Sequence, residues 1–234
     1  MRPRIIVFAS GTPTGGGSGF ENLVQATKTG VLDAEIVAVV SNQQSGGVAE
    51  RAKKLGVPFI YFPGPFDAAH YQEVVAKAFG AEPAPLEGQA SLMGWVALSG
   101  WIKLVKGLEP TKTFNIHPAL LSQLGGPFDG LRASRFGGEG MWGHRVHAAV
   151  KAALDAGEIT ESGVSMHFVT DEYDRGPVFF EYHVPLKKEM TVDEIAQAVN
   201  KAEHEWQPKI TNMVVHGQIH WDGKDPASLV VTGI

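Results

Sequence analysis

The chain has 234 residues, 44% of them hydrophobic, with a formal net charge of −5 and no cysteine. This length can bury a substantial core, and the lack of cysteine excludes disulfides, thiolate catalysis and cysteine-ligated metal sites. The sequence has neither the basic runs that bind nucleic-acid phosphates nor an apolar run near the ~18 to 20 residues of a membrane-spanning helix, so it predicts a cytoplasmic protein that acts on small polar molecules.

The first half, residues 1–110, alternates short β-branched runs with helical patterns. Such alternation predicts a parallel sheet with helices on both faces, so the fold class is α/β with a doubly wound, mostly parallel sheet. In chain order the pattern predicts a strand at 4–9, a helix at 20–29, a strand at 35–41, a helix at 47–55, a strand at 59–62, a helix at 67–80 and, after a Pro/Gly-rich stretch at 80–90, an apolar segment at 91–99.

The second half, residues 111–220, follows a different pattern with a long interruption. The glycine-rich stretch 122–143 predicts a mobile loop, because glycines restrict the backbone little. The other predicted elements are a strand at 114–118, a helix at 144–156, a strand at 163–170, a turn at 171–177, a strand at 178–184 and a helix at 191–215 that starts near Thr191 or Asp193. Without internal repeats, we expect residues 1–234 to form one domain with two halves.

A glycine loop, Ser10–Gly19, lies between the first predicted strand and helix. Bare backbone N–H groups next to a helix N-terminus are suited to holding a phosphate, although a flexible turn is the alternative interpretation. The loop has no Gly-Lys-Ser/Thr sequence and no clean dinucleotide spacing. A monophosphate ester therefore fits it better than ATP or NAD.

Asn115 and His117 are two residues apart in a predicted strand that Pro118 ends, so both side chains point to the same face. One can donate to a developing oxyanion while the other moves a proton or stabilises charge. Taken alone, a strand histidine is more often structural, and Asp171 and Asp174 in the following turn are of the kind that cap backbone N–H groups.

Three motifs nevertheless occur together, in residues 115–118, 163–177 and 202–204. In sequence, order and interval they resemble the folate-dependent formyltransferases, most closely the members that act on glycinamide ribonucleotide, over about residues 4–220. The resemblance implies a Rossmann-like formyltransferase fold and transfer of a formyl group from the co-substrate 10-formyltetrahydrofolate to the amine of glycinamide ribonucleotide, in de novo purine biosynthesis and without a metal.

The resemblance also implies the roles of individual residues. Asn115, His117 and Asp174 are the implied catalytic group, with Asn115 and a protonated His117 stabilising the oxyanion while Asp174 pairs with His117 and relays a proton through water. The implied substrate-binding residues are Gly11, Gly15, Gly16, Gly17, Ser18 and Gly19 for a phosphate, Asn200 and Glu203 for the glycinamide end, and Gly100, Pro118 and His167. The implied folate-binding residues are Trp101, Ile102, Lys103, Leu104 and Val105.

The chain departs from the family pattern in three places. Its glycine loop is longer, a glycine-rich insertion occupies about residues 123–140, and Lys103 stands where the family has arginine, which keeps the charge but not the forked geometry.

Other functions are compatible with parts of the sequence. A formyltetrahydrofolate hydrolase would share the same motifs but normally has an additional N-terminal domain, whereas this chain starts directly at its first strand. Formylation of another amine, such as an amino sugar nucleotide, is a further alternative; a methionyl-tRNA formyltransferase is disfavoured because it adds a C-terminal RNA-binding domain. A non-enzymatic nucleotide-binding module explains only the glycine loop, and the sequence leaves monomer and homodimer open.

Overall fold

The structure, a computed structural model, describes residues 2–80, 94–124 and 134–233. Its strands are β1 Arg4–Phe8, β2 Glu35–Ser41, β3 Phe59–Tyr61, β4 Trp95–Ser99, β5 Thr113–His117, β6 Glu161–Phe168, β7 Val178–Pro185, β8 Ile219–His220 and β9 Val230–Val231. Its helices are α1 Ser18–Thr29, α2 Gly47–Leu55, α3 Ala68–Phe79, α4 His144–Asp155 and α5 Val192–Val215.

Seven strands form one sheet in the order β3-β2-β1-β4-β5-β6-β7. Strands β1 to β5 pair in parallel, while β6 runs antiparallel to both β5 and β7. The predicted mostly parallel sheet is confirmed. Strands β8 and β9 form a separate two-stranded ribbon, which the sequence did not predict because two-residue strands carry no periodicity.

Helices cover both faces of the sheet, as predicted, but unequally. In β1, Ile5 and Val7 face a core built with α1, α2, α4 and α5, whereas Ile6 and Phe8 face a smaller core built with α3. Because successive side chains of a strand point to opposite faces, a strand covered on both sides needs apolar residues throughout. The run of fully buried residues in β1 has this origin.

Local sequence signals fix the starts of two helices. The Thr191 hydroxyl accepts a hydrogen bond from the Glu194 N–H, and the Glu194 carboxylate accepts one from the Thr191 N–H, which is a complete capping box for α5. Asp67 caps α3 by accepting from the His70 N–H at 3.1 Å. Of the two predicted starts for α5, Thr191 is therefore the cap.

Two predicted segments lie partly outside the described residues. The strand expected within 91–99 is described from residue 94 onward, and β4 starts at Trp95. In the predicted mobile loop, residues 122–124 and 134–143 are described and contain no helix or strand. Within the described part of the chain, no helix is long and apolar enough to cross a membrane.

Candidate active site

The end of β5 and the neighbouring strand β6 bring the predicted catalytic residues together. Antiparallel pairing places Asn115 opposite His167 and His117 opposite Ser165. Asp174 lies in the turn between β6 and β7, in a left-handed backbone conformation with φ 51°. Its carboxylate reaches both histidines, with Oδ2 3.7 Å from His117 Nδ1 and Oδ1 3.3 Å from His167 Nε2.

A short hydrogen-bond chain orients Asn115. The Phe168 carbonyl can only accept, so His167 Nδ1, 2.8 Å away, carries a proton and donates it. His167 Nε2 lies 3.1 Å from Asn115 Nδ2 and 3.3 Å from Asp174 Oδ1, so the ring sits between the amide and the carboxylate. At most one of the two amide hydrogens of Asn115 points at His167, which leaves the other for a ligand.

The surroundings of His117 bear on the positive charge that was predicted for it. The ring is 4% exposed, and its Nε2 lies 2.6 Å from the Phe136 carbonyl, to which it donates. Burial lowers the pKa of His117 and outweighs both the Asp174 carboxylate and the Phe136 carbonyl, which act to raise it. This shift disfavours the protonated His117 that the motifs imply, because the desolvation of a buried imidazolium outweighs its attraction to one nearby carboxylate; the charge of His117 during the reaction stays a prediction.

Asp174 is held as a carboxylate. Burial acts to raise its pKa, but His117, the hydrogen bond from His167 and the Gly138 N–H together lower the pKa below its ordinary value. The Gly138 N–H donates to Asp174 Oδ2 at 2.8 Å. Gly138 and Phe136 both belong to the glycine-rich insertion, so this segment contacts the catalytic group directly.

A cavity of about 240 Å³ opens beside these side chains. Many of the predicted site residues line it, namely Gly100, Trp101, Ile102, Lys103, Leu104, Val105, Asn115, His117, Pro118, His167, Asp174 and Glu203. The predicted residues Gly11, Gly15, Gly16, Gly17, Ser18, Gly19 and Asn200 do not line it. The structure thus brings the residues predicted to be catalytic and those predicted to bind folate together around one cavity, while the glycine loop lies outside it.

Glu203 and Asn200 lie one turn apart on α5, and Asn200 Nδ2 donates to Glu203 Oε2 at 3.3 Å. Burial raises the pKa of Glu203 to about 7, although the hydrogen bond from Asn200 acts to lower it. The cavity therefore contains a carboxyl group that changes its charge near neutral pH.

The glycine loop folds back on itself before α1. Thr12 and Gly15 form a bridge, with the Thr12 N–H donating to the Gly15 carbonyl at 2.9 Å. Gly17 has φ 79°, the left-handed conformation that favours glycine. In the described part of the chain, no acceptor is found for the N–H groups of residues 16–19, which point from the start of α1.

Sequence reasoning missed several residues of the cavity wall, including Met141, Trp142, His147 and Tyr173. His147 is buried, and its Nδ1 has no partner among the described residues. Burial lowers its pKa to about 4, helped by His117 and His144. Helical periodicity could have identified His147 as an inward-facing residue, because residues 147, 150 and 154 fall on one buried face of α4. The aromatic wall residues had no such signal, since they lie in loops.

The described residues contain no group of three or more His, Asp or Glu side chains arranged to hold a metal ion. The expectation of a metal-free reaction stays a prediction.

Comparison with known proteins identifies the family. The formyl transferase family model matches residues 3–211. This chain belongs to the formyl transferase family. The resemblance found in the sequence motifs is therefore confirmed.

Two curated relatives of this formyl transferase are phosphoribosylglycinamide formyltransferases. The chloroplastic protein of Arabidopsis thaliana is 30% identical over 226 residues, which cover 94% of this chain and 68% of the relative. The Bacillus subtilis protein is 27% identical over 217 residues, covering 91% of this chain and 94% of the relative. The chain spans about two thirds of the length of its plant relatives, 68% for Arabidopsis thaliana and 66% for Vigna unguiculata.

Solved structures agree with the fold. Glycinamide ribonucleotide transformylase 1 from Geobacillus kaustophilus superposes with a TM-score of 0.67 at 27% identity, covering 92% of this chain and 100% of that one. The corresponding protein from Symbiobacterium toebii gives a TM-score of 0.72 at 22% identity, which supports the fold alone.

Proposed function

We propose that this formyl transferase passes the formyl group of 10-formyltetrahydrofolate to the amine of glycinamide ribonucleotide, a step of de novo purine biosynthesis. The observation that carries the proposal is the convergence of Asn115, His117, His167 and Asp174 on the cavity that Glu203 also lines. The relatives from Arabidopsis thaliana and Bacillus subtilis are named for this activity.

The walls of the cavity suit a folate donor. Leu98, Leu104 and Trp142 line the cavity and would supply apolar surface, while backbone groups of residues 100–105 would supply polar edges. A bicyclic pterin needs this combination, because its faces are apolar and its rim is lined with hydrogen-bonding groups. We assign residues 100–105 to the donor, as the sequence motifs imply.

In this proposal the acceptor binds on the other side of the cavity from the folate donor. Free N–H groups at the start of α1 would hold its phosphate, and the Glu203 carboxylate would accept hydrogen bonds from its glycinamide end. Ser99 lies between the start of α1 and the part of α5 that carries Glu203. Its hydroxyl contacts Gln207, one helical turn beyond Glu203, at 3.3 Å. A side-chain carbon added at Gly19 would lie 2.2 Å from the same hydroxyl, so α1 needs glycine there to approach β4.

The reaction forms a bond from the acceptor nitrogen to the formyl carbon and breaks the bond from that carbon to folate N10. Negative charge develops on the formyl oxygen between these two events. The unused amide hydrogen of Asn115 is positioned to stabilise this oxyanion, and such preorganised donors supply a large part of catalysis in acyl transfer.

The attacking amine loses a proton and folate N10 gains one. Neutral His117 has its proton on Nε2, which faces Phe136, so its bare Nδ1 faces Asp174. We assign proton acceptance, through water, to this Nδ1, because the resulting imidazolium would lie 3.7 Å from the Asp174 carboxylate. Asp174 itself is a weak proton acceptor, since its pKa is lowered.

An acceptor panel tests the assignment. Purified protein with 10-formyltetrahydrofolate would be assayed with glycinamide ribonucleotide, an amino sugar nucleotide, a simple primary amine and water alone. We expect kcat/KM for glycinamide ribonucleotide to exceed the others by at least about 100-fold, because each well-placed polar contact discriminates strongly against substrates that lack its partner. Formate release at the same rate without any amine would instead identify a hydrolase.

A cytoplasmic location and a monomeric or homodimeric state stay predictions. The plant relatives are named as chloroplastic proteins, so the location needs a measurement of its own.

A further inference from the structure

Two segments that line the cavity are joined by side chains without an assigned role. We call residues 100–107 the donor loop and residues 170–174 the catalytic turn. The Asp171 carboxylate accepts a hydrogen bond from the Gly107 N–H at 2.8 Å, across 64 positions of sequence. This is not the local turn capping that an aspartate at such a position ordinarily provides.

Tyr173 makes a second connection between the same two segments. The Tyr173 hydroxyl lies close to the backbone of Leu104; burial raises the pKa of this phenol overall, while the Leu104 backbone acts to lower it. Leu104 and Tyr173 both line the cavity. Asp171 is therefore hydrogen-bonded to the loop, and Tyr173, two residues later, lies against the same loop.

The donor loop is anchored to the body of the protein independently. At its start the Ser10 N–H donates to the Gly100 carbonyl at 3.0 Å, and the Ile102 N–H donates to Ser10 Oγ at 3.1 Å. At its end Gln72 Nε2 donates to the Gly107 carbonyl at 2.8 Å. A turn tied to this loop is thereby positioned relative to the sheet.

We infer that Asp171 and Tyr173 are positioning residues for formyl transfer, which set the distance between the donor bound against the donor loop and the carboxylate of Asp174. The inference rests on the proposed function. Asp174 directly follows Tyr173 and adopts a left-handed backbone, a conformation that is costly for a residue with a side chain. The two contacts help to hold it there and keep its carboxylate within reach of His117 and His167.

The kinetic test uses Asp171→Ala, Asp171→Asn and Tyr173→Phe. A displacement of about 1 Å at a reacting centre costs on the order of 100-fold, so we expect Asp171→Ala to raise the donor KM several-fold and to lower kcat about tenfold, with the acceptor KM unchanged. Asp171→Asn should restore most activity, because its amide oxygen can accept the same N–H. Tyr173→Phe should resemble Asp171→Ala in direction.

Asp222→Ala provides the matched control. Asp222 is an exposed aspartate that likewise accepts backbone N–H groups, from Lys224 at 2.8 Å and Asp225 at 2.9 Å, but it does not line the cavity. It should leave both KM values and kcat as in the wild type. Wild-type kinetics for Asp171→Ala, or an equal loss in Asp171→Asn, would overturn the positioning role.

Amide hydrogen exchange separates this inference from the proposed function. In the folate-free protein the Gly107 N–H should be protected in the wild type and in Asp171→Asn, and should exchange at least about tenfold faster in Asp171→Ala. Equal exchange in all three proteins would show that the contact does not form and would overturn the inference alone. A protected Gly107 amide in a wild-type protein without folate turnover would overturn the proposed function, and the positioning role with it.

Discussion

Asn115 and His117 each use one side-chain nitrogen or hydrogen in a contact within the protein, and each has another that is available for the reaction. The Asn115 amide contacts His167 Nε2, and His117 donates to the Phe136 carbonyl. These contacts fix the two side chains before any substrate binds. Preorganisation of this kind contributes to the transition state more than to substrate binding, because the charge it serves is absent in the ground state.

Replacement of either residue by alanine should therefore act on turnover. We expect Asn115→Ala and His117→Ala to lower kcat by about 100-fold or more, with acceptor affinity within about threefold of the wild type. Steady-state kinetics and calorimetric acceptor binding measure the two effects. Near-normal kcat in both variants would contradict the assignment of the site.

Glu203 should make acceptor binding depend on pH. Its pKa, raised to about 7 by burial, means that it is mostly protonated at lower pH and becomes a carboxylate as the pH rises through that value. Glu203→Gln resembles the protonated form, so it should weaken acceptor binding about tenfold at about pH 8 and much less at about pH 6. Titration calorimetry at both values measures this.

Glu205→Gln is the control for that experiment. Glu205 is exposed on the same helix and pairs with Lys209 at 3.1 Å, so its replacement should leave acceptor affinity unchanged at both pH values. A loss at Glu203→Gln that is the same at both values would show that its ionisation does not matter.

The proposed catalytic residues could be picked out from the sequence, but the effect of their surroundings on their pKa values could not. The two-residue spacing of Asn115 and His117 in a strand places them on one face, which needs only local geometry. The pKa of His117 depends on how completely the ring is buried and on Phe136, which is 19 positions away in an insertion. Asp171 was likewise expected to cap its own turn. Its hydrogen-bond partner, Gly107, is 64 positions away and cannot be identified from local sequence.

At the scale of elements, the start of α1 is the feature with the clearest proposed task. Gly17 precedes the helix in a left-handed conformation, and the N–H groups of residues 16–19 have no acceptor in the described part of the chain. A Cβ at Gly17 would lie 3.0 Å from Val48 Cγ2 and 3.2 Å from Val48 Cα. Any side chain here must move either the loop or α2.

Gly17→Ala should consequently weaken binding of the acceptor phosphate by about tenfold or more, while kcat at saturating acceptor changes little. Gly30→Ala is the control, because Gly30 has φ 80°, ends the same helix and has no atom within 4 Å of the added carbon. Both variants should lose about 1 kcal/mol of stability from the left-handed backbone, but only Gly17→Ala should lose acceptor affinity. Equal affinities would place the phosphate elsewhere.

Most elements could be predicted because their signals are local. The bounds 35–41 and 47–55 agree with β2 and α2, since a β-branched run and glycine-bounded helical periodicity mark them. The β8–β9 ribbon escaped prediction because its pairing of Ile219 with Val231 is a tertiary contact. Expectations that concern residues 81–93 and 125–133 lie outside the described residues.

At the scale of the whole molecule, the two predicted halves share one sheet and one core. Strands β4 and β5 pair in parallel across the boundary near residue 110, from Val96 opposite Thr113 to Ser99 opposite Ile116. The larger core contains residues of both halves, from Ile5 in β1 to Trp221 after β8. Neither half can lose its packing without exposing the apolar surface of the other.

We therefore expect a single cooperative unfolding transition. Far-UV and near-UV circular dichroism should give coincident thermal curves, and a bound folate should shift both by the same amount, as linkage requires for one cooperative unit. Two separated transitions, with only one of them shifted by folate, would show that residues 1–110 and 111–220 are separate domains.

The most direct measurement follows the formyl carbon itself. The purified chain would be incubated with glycinamide ribonucleotide and 10-formyltetrahydrofolate labelled with carbon-13 in the formyl group, and products would be identified by NMR and mass spectrometry, with His117→Ala as the control. We predict that the label appears as an amide on the glycinamide nitrogen in the wild type, at a rate at least about 100-fold above the variant. Label that appears only as formate, or that remains on the folate, would contradict the proposed function.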